Sequence, residues 1–464
     1  MANFGKILET AELSIEQRET LEELLRVFNG VQPRNKMLRD YYEGDIYVSD
    51  FGVSINPDLL QNDQVCYWPD KAVNALAERI TFDRFIFADG HEDEDLQTIM
   101  RANRVGNAYM RYLPTKLTFG CMFGVVNATQ IGVQIRFHSA QTAAALPDGN
   151  HDSGVIGAGF VISKWGRVTK RGAVVPTEIV LYEPSTVTIL ARIDRDWWYV
   201  ADSAETPEES PLMFAFAHKS TGMKPFGQSR INKAVRSLTR DAVRTMWHME
   251  VSSAFHAAPK LALLGLDDEQ FDALSQRKPQ LYMDSVFMST RDGNGNVPEL
   301  KQISGNSPQP FIEQLRCLAG FFSGATGVPI SSLGIVQDNP ISAEAMATSK
   351  EDLAIIAESD IHADAEVLER MITAALAVNA GKAIDELPEE QLGVIAKFKQ
   401  PHITSLPALA DSITKVGAVA PWFVDTDIPW ELMGFTEQDI ARMKPVMDAY
   451  KAQQELRRLI EDAS

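Results

Sequence analysis

The sequence is short of positive charge: 44 Lys and Arg stand against 63 Asp and Glu in 464 residues, a formal net charge of −19. A protein that grips nucleic acid by neutralising phosphates needs a clustered excess of Lys and Arg, so tight binding of that kind is excluded. Cysteine is scarce too. Cys66, Cys121 and Cys317 are far apart and form neither a CxxC nor a Cys/His metal spacing, so they read as free thiols of a reducing compartment. No stretch approaches the roughly 18 apolar residues of a membrane helix, and Met1 to Leu13 has no basic segment followed by an apolar run. A soluble chain without membrane contact or export signal is expected. Asn127-Ala128-Thr129 matches a glycosylation sequon, but nothing else points to a secretory route.

Catalytic signatures are missing as well. There is no GxxxxGK[ST], HExxH or GxSxG, and Gly157-Ala158-Gly159 has Ile162 where a dinucleotide fingerprint needs its last Gly. Ser275-Gln276-Arg277-Lys278 fits SxxK without the elements that accompany it in acylating enzymes. The eight histidines, including His248 and His256, are dispersed. The chain is read as no enzyme, with no catalytic residue, cofactor or metal. A carboxylate-based hydrolase stays as the remote alternative, because acid pairs carry no local signature.

What is present is an ordinary globular composition, 45% apolar and 23% charged, organised as α+β. A helical pattern over 11–45 places Leu13, Leu21, Leu24, Leu25 and Phe28 on one face and stops at Gly44-Asp45. A second helix is expected over Lys71–Arg79. From about 117 to 200 come short β-rich runs, among them Gly159–Ile162, Glu178–Tyr182 and Trp197–Val200. A long helix from Ser229 to about Ala258 carries Ile231, Val235, Leu238, Ala242 and Met249 on one side and Lys233, Arg236, Arg240 and Arg244 on the other. A small β module over 260–309, with a turn at Asp292–Asn296, leads to a helix over Pro310–Thr326. Beyond a Ser-, Gly-, Asp- and Pro-rich loop over Ile330–Pro340, Ser342 caps a helix reaching about Val378. A strand at Val394–Phe398, a helix over Leu406–Val416, a loop over Trp422–Trp430 and a helix over Thr436–Glu461 complete the chain.

Several segments resemble, in order, the portal proteins of tailed bacteriophages of the siphophage type, the head-tail connector family. They are Tyr41–Gly44 and Asn74–Ile80 with Phe82 and Phe85; Phe226-Gly227-Gln228-Ser229-Arg230-Ile231 leading into a long helix, then Ala258-Pro259-Lys260 to Gly265; and Thr326-Gly327-Val328-Pro329 to Gly334, then Asn339–Ala345. Tyr67-Trp68 departs from the Asn-Trp that related portals often carry. The ordered set spans 41 to about 380.

The resemblance implies a portal fold: an α/β wing over 1–225, a first stem helix over 226–259, a β-containing clip over 260–309, a second stem helix over 310–327, a tunnel loop over 328–341 and a tunnel helix over 342–380. A return to the wing or crown base over 381–435 and a crown helix over 436–464 follow. It implies a dodecameric ring at one capsid vertex, the conduit for genome packaging and ejection. Implied partners are further copies of the chain, the major capsid protein, a scaffolding protein, the terminase large subunit and then head-tail adaptors, with double-stranded DNA passing without sequence recognition. The location implied is the virion, after assembly in the bacterial cytoplasm. A scaffolding or adaptor protein built on similar helices is the alternative.

Within that frame the helix after Ser342 has eight acids, Glu344, Glu351, Asp352, Glu358, Asp360, Asp364, Glu366 and Glu369, against Lys350 and Arg370, a local net charge of −6. Glu344, Glu351, Glu358 and Glu369 share one face at about 100° per residue and are the expected tunnel-facing acids; Met346, Leu353, Val367, Leu368 and Met371 lie opposite. Gly334, Ile335, Val336, Gln337, Asp338 and Asn339 form the expected tunnel loop, or else a plain connector. Asp292, Asn294 and Asn296 are expected clip contacts. The stripe of Lys233, Arg236, Arg240 and Arg244 either pairs with acids of a neighbouring subunit or the capsid, or forms a ring that touches a nucleic-acid backbone.

Overall fold

The computed structural model describes residues 3–46, 64–87, 90, 93–149, 155–167, 174–194, 196–257, 260–264, 299–303, 307–335, 343–402, 406–435 and 437–462. They form two compact units, 1–401 and 402–464. The boundary cuts the expected 381–435 segment in two. The α+β class read from the sequence holds.

Helix α1 (Ile15–Glu43) begins at a reciprocal cap: Gln17 N donates to Ser14 Oγ at 3.1 Å and Ser14 N to Gln17 Oε1 at 3.3 Å. It ends where Gly44 turns left-handed at φ +83°. Its buried Leu21, Leu24 and Phe28 pack with Phe160, Ile179, Leu181 and Trp198 in a satellite core. Those partners belong to a five-stranded antiparallel sheet of order β4-β5-β6-β7-β8: β4 (Ala143–Pro147), β5 (Ile156–Arg167), β6 (Val174–Glu183), β7 (Thr186–Arg192) and β8 (Trp198–Glu205). Trp198 is buried, and its indole donates to Phe4 O at 2.7 Å, while Trp197 and Tyr199 are exposed, the period-two alternation of a strand.

The main core is built on helix α2 (Trp68–Ala77), the helices that follow it and a second sheet. Helices α3 (Glu94–Asn103) and α4 (Val105–Phe119) were not anticipated, and α2 starts at Trp68 rather than Lys71, with Pro69 in its first turn. The second sheet has order β3-β2-β9, from β2 (Cys121–Thr129), β3 (Gly132–Ser139) and β9 (Met213–Ala217). Helix α5 (Lys233–Ala257) starts four residues later than expected: Asn232 Oδ1, just before it, accepts from Val235 N at 3.1 Å, while Ser229 Oγ donates to Thr118 O at 2.5 Å. Helix α6 (Gln309–Thr326) packs along α5. The 38-residue α7 (Ala343–Ala380) crosses β2, β3 and β9. Gly124 of β2 lies under it: a Cβ there would sit 2.7 Å from Met371 Sδ.

Strand β1 (Phe82–Phe87) pairs antiparallel with β12 (Val394–Phe398), joining segments about 300 residues apart. Within 260–309, β10 (Lys260–Leu264) pairs with β11 (Glu299–Ile303); Leu281–Met283 and the turn at Asp292–Asn296 lie outside the described residues. Residues Ile330–Leu333, expected as loop, form a 3-10 turn, and Ser342 and its cap lie outside the described residues.

The smaller unit contains α8 (Leu406–Val419) and α9 (Glu437–Asp462). The expected Trp422–Trp430 loop is instead a 3-10 turn over Pro421–Asp425 and a short helix over Ile428–Leu432. Lys444 Nζ lies 2.8 Å from Asp427 Oδ2.

Candidate functional site: the long acidic helix and its buried anchor

The acids of α7 do not share one fate. Glu351, Asp352 and Glu366 are exposed, with Ser359, His362 and Arg370 on the same side and Ile355 among them at 55% exposure. Glu358 is half-buried at the edge. Glu369, also half-buried, accepts a hydrogen bond from Ala396 N of β12 at 3.0 Å, so its carboxylate serves the fold. Glu344 lies in the first turn, outside the residues whose side chains are described.

Asp360 and Asp364 point the other way, one turn apart on the side of Leu353 and Met371. Lys116 of α4 reaches both: Nζ is 2.7 and 2.8 Å from the Asp364 oxygens and 3.2 Å from Asp360 Oδ1. The Tyr109 hydroxyl, one helical face along α4, donates to Asp364 Oδ2 at 2.5 Å. His218, just after β9, places Nδ1 2.7 Å from Asp360 Oδ2. Lys116 is wholly buried, and Asp360 and Asp364 are 4% and 0% exposed.

Burial works against every charge in this cluster, and the neighbours decide the outcome. Burial pulls the Lys116 ammonium down, but Asp364 and then Asp360 outweigh it and hold its pKa above the usual value. Burial pushes both carboxyls up. Lys116 and His218 overcome that at Asp360, whose pKa falls below the usual carboxylate range. Asp364 stays raised by burial, with the Asp360 charge opposing the relief from Lys116. Two carboxylates for one ammonium leave one of them under-compensated. His218 is lowered by burial, aided by Lys116 and Arg230 against Asp360, and Tyr109 is raised well above its ordinary value by burial and by Asp364. Among the described residues no set of three or more His, Cys, Asp and Glu side chains is placed to hold a metal ion; what the cluster does is join α4, β9 and α7.

The Phe226–Ile231 segment wraps the same junction. His218 N donates to Gly120 O, Gln228 N to His218 O and Arg230 N to Leu117 O, at 2.8 to 2.9 Å. At Gly227, φ is +74° and a Cβ would lie 2.5 Å from both Gly120 O and His218 O, so only glycine fits. Arg230, 5% exposed, donates through Nε to Ala72 O at 2.6 Å and through a terminal nitrogen to Thr326 O at 2.5 Å. A guanidinium thus caps the C-terminal end of α6 and ties α2 to the start of α5.

Of the basic stripe, Lys233, Arg240 and Arg244 are exposed and Arg236 is half-buried. Arg244 pairs with Asp241 of its own helix at 3.0 Å, and Arg236 donates to Ile231 O at 2.9 Å. Gly334 is exposed at φ +77° and Ile335 is half-buried; Val336, Gln337, Asp338 and Asn339 lie outside the described residues, as do Asp292, Asn294 and Asn296 of the clip.

Residues 27–422 match the family described as phage portal protein, SPP1 Gp6-like. The portal protein of Mycobacterium phage L5 is 21% identical over 404 residues, covering 85% of this chain and 81% of that protein. That of Mycobacterium phage D29 is 23% identical over 194 residues, 41% of this chain and 39% of that one. Two solved chains also align: one from the neck of a native gene transfer agent particle computed with C12 symmetry, at 14% identity and TM-score 0.44, covering 79% of this chain and 89% of that one; the other from a native gene transfer agent virion, at 16% and 0.39, covering 86% and 93%. With nearly the whole of the larger unit inside the matched range, the chain belongs to the phage portal protein family, structural proteins of the virion that form the conduit for genome packaging and ejection.

Proposed function

We propose that the chain forms a twelve-membered ring at one capsid vertex in which α7 lines the DNA channel with its exposed side. The observation that carries this reading is the sorting of charge on α7 by exposure: Glu351, Asp352 and Glu366 are exposed, while Asp360 and Asp364 are buried and Glu369 is half-buried against the backbone of β12. Rings of carboxylate repel phosphate at short range, within a Debye length of about 8 Å at physiological salt, so DNA passes without settling on the wall. The loop over 334–339 contacts the DNA and acts in its retention or gating.

The clip, through Asp292, Asn294 and Asn296, meets the terminase large subunit during packaging and head-tail adaptors afterwards. The wing meets the major capsid protein and, during assembly in the bacterial cytoplasm, a scaffolding protein. Lys233, Arg240 and Arg244 face acids of the adjacent copy, complementary charge that a strongly acidic oligomer needs at its contacts.

Replacing Glu344, Glu351 and Glu358 together with Lys tests the channel reading. Rings of twelve by mass measurement together with slowed DNA packaging are expected. Packaging by intact rings at the wild-type rate in low salt overturns it.

A further inference from the structure

The two ends of α7 are held differently. Beyond Asp364 the helix is gripped by apolar packing: Leu368, Met371, Ile372, Ala375 and Ala377 are all 0% exposed. Among described side chains before Asp360, the buried apolar set is Leu353, Ala354 and Ala357, two of them the smallest side chains able to pack, and Ile355 turns outward. The Lys116 cluster sits at the border between these regimes.

A buried ionic group is a poor way to add stability, because desolvation offsets most of the Coulomb gain and apolar side chains of equal volume often serve as well. What it adds is discrimination between positions. Asp364 is claimed by Lys116 and Tyr109, and Asp360 by His218 and Lys116. Sliding α7 by one turn in one direction carries Asp364 into the place of Asp360 and sets Leu368 against the Lys116 ammonium. Sliding it the other way sets Ile356 against His218. Either shift strands a buried polar group, whereas alanines and leucines tolerate such slippage. His218 also accepts from Gln228 N and donates from its own N to Gly120 O, so the alignment is referred to the rigid crossing that launches α5.

We propose that Tyr109, Lys116, His218, Asp360 and Asp364 form a register latch: they fix the axial and rotational position of the N-terminal half of α7 against α4 and β9, and position rather than stability is their contribution. The inference rests on the fold and stands or falls independently of the channel reading.

The test replaces the latch with apolar or neutral groups of similar size in the full-length assembled protein, as Tyr109→Phe, Lys116→Met, Asp360→Asn and Asp364→Leu combined, and follows melting and amide hydrogen exchange. The expected result is a melting temperature near that of wild type, exchange over 351–366 faster by about tenfold or more, and unchanged exchange over 368–378. Asp364→Asn alone, which keeps the volume and the Lys116–Asp360 pair, is expected to accelerate the same amides by a smaller factor. Unchanged exchange over 351–366 in both variants overturns the latch. So does a large fall in melting temperature of the combined variant with exchange rising throughout, and so does failure of that variant to fold while Asp364→Asn exchanges like wild type.

Discussion

Asp364 and Glu351 lie on one helix, 13 residues apart, and lead opposite chemical lives. Asp364 is fully buried against an ammonium and a phenol; Glu351 is exposed. The first is held inside the fold and the second stands at the surface. The net charge of −6 counted along the helix overstates what α7 presents, because Asp360, Asp364 and Glu369 answer to internal partners. Charge on a long helix becomes informative only after it is sorted by the face it occupies and the partner it meets.

The sharpest way to break the contrast is to strand the buried side of it. Lys116→Met leaves two carboxylates in the core without their cation, a change expected to cost about 3–5 kcal/mol, read as a fall in denaturation midpoint. A loss below about 1 kcal/mol means water already reaches the cluster. Slightly smaller is Gly227→Ala, which puts a Cβ 2.5 Å from two carbonyl oxygens at a positive φ. About 2–4 kcal/mol is expected from backbone strain and displaced hydrogen bonds; a neutral outcome by thermal melting means the crossing yields to an added Cβ without cost.

Acid offers a milder lever. His138 is lowered to about 4 by burial, with Arg136 adding to it, from an ordinary 6.5. The unfolded chain therefore binds a proton that the folded chain refuses as pH falls below 6.5, so stability declines between 6.5 and 4 by up to about 1.4 kcal/mol per unit. His218, also lowered, acts in the same sense, while raised Asp364 opposes it by taking its proton earlier in the fold than out of it. His138→Gln is expected to flatten part of the slope of melting temperature against pH from 7 to 5. An unaltered slope assigns the acid response to the cluster instead.

Much of the secondary structure was legible because its signals are local. The Gly44 stop, the long helix after residue 342 and the strand Val394–Phe398 follow from periodicity and punctuation. Helices α3 and α4 carry weaker signals: α4 contains Pro114 and buries Lys116 and Thr118 beside Leu117, which blurs any apolar stripe. The latch was half legible. Asp360 and Asp364 fall at the angle of Leu353 and Met371, a place where acids do not belong unless something pairs with them. Their partners carry no such mark: Lys116 lies 244 residues from Asp360 and His218 lies 142 away, and tertiary pairing over those separations leaves no local trace. The resemblance to portal proteins located the segments that matter without separating acids that face outward from acids that hold the helix.

The smallest predicted effect tests the exposed half of the contrast. Glu351→Gln removes one carboxylate from a solvated face, where surface substitutions usually move stability by less than about 0.5 kcal/mol. The melting temperature of the assembled protein is expected to stay within about a degree or two of wild type, in the same assay that registers Lys116→Met as a collapse. If Glu351→Gln instead destabilises by more than about 1 kcal/mol, the carboxylate bears on the stability of the assembly, and the exposed acids of α7 join Asp360 and Asp364 as parts of the framework.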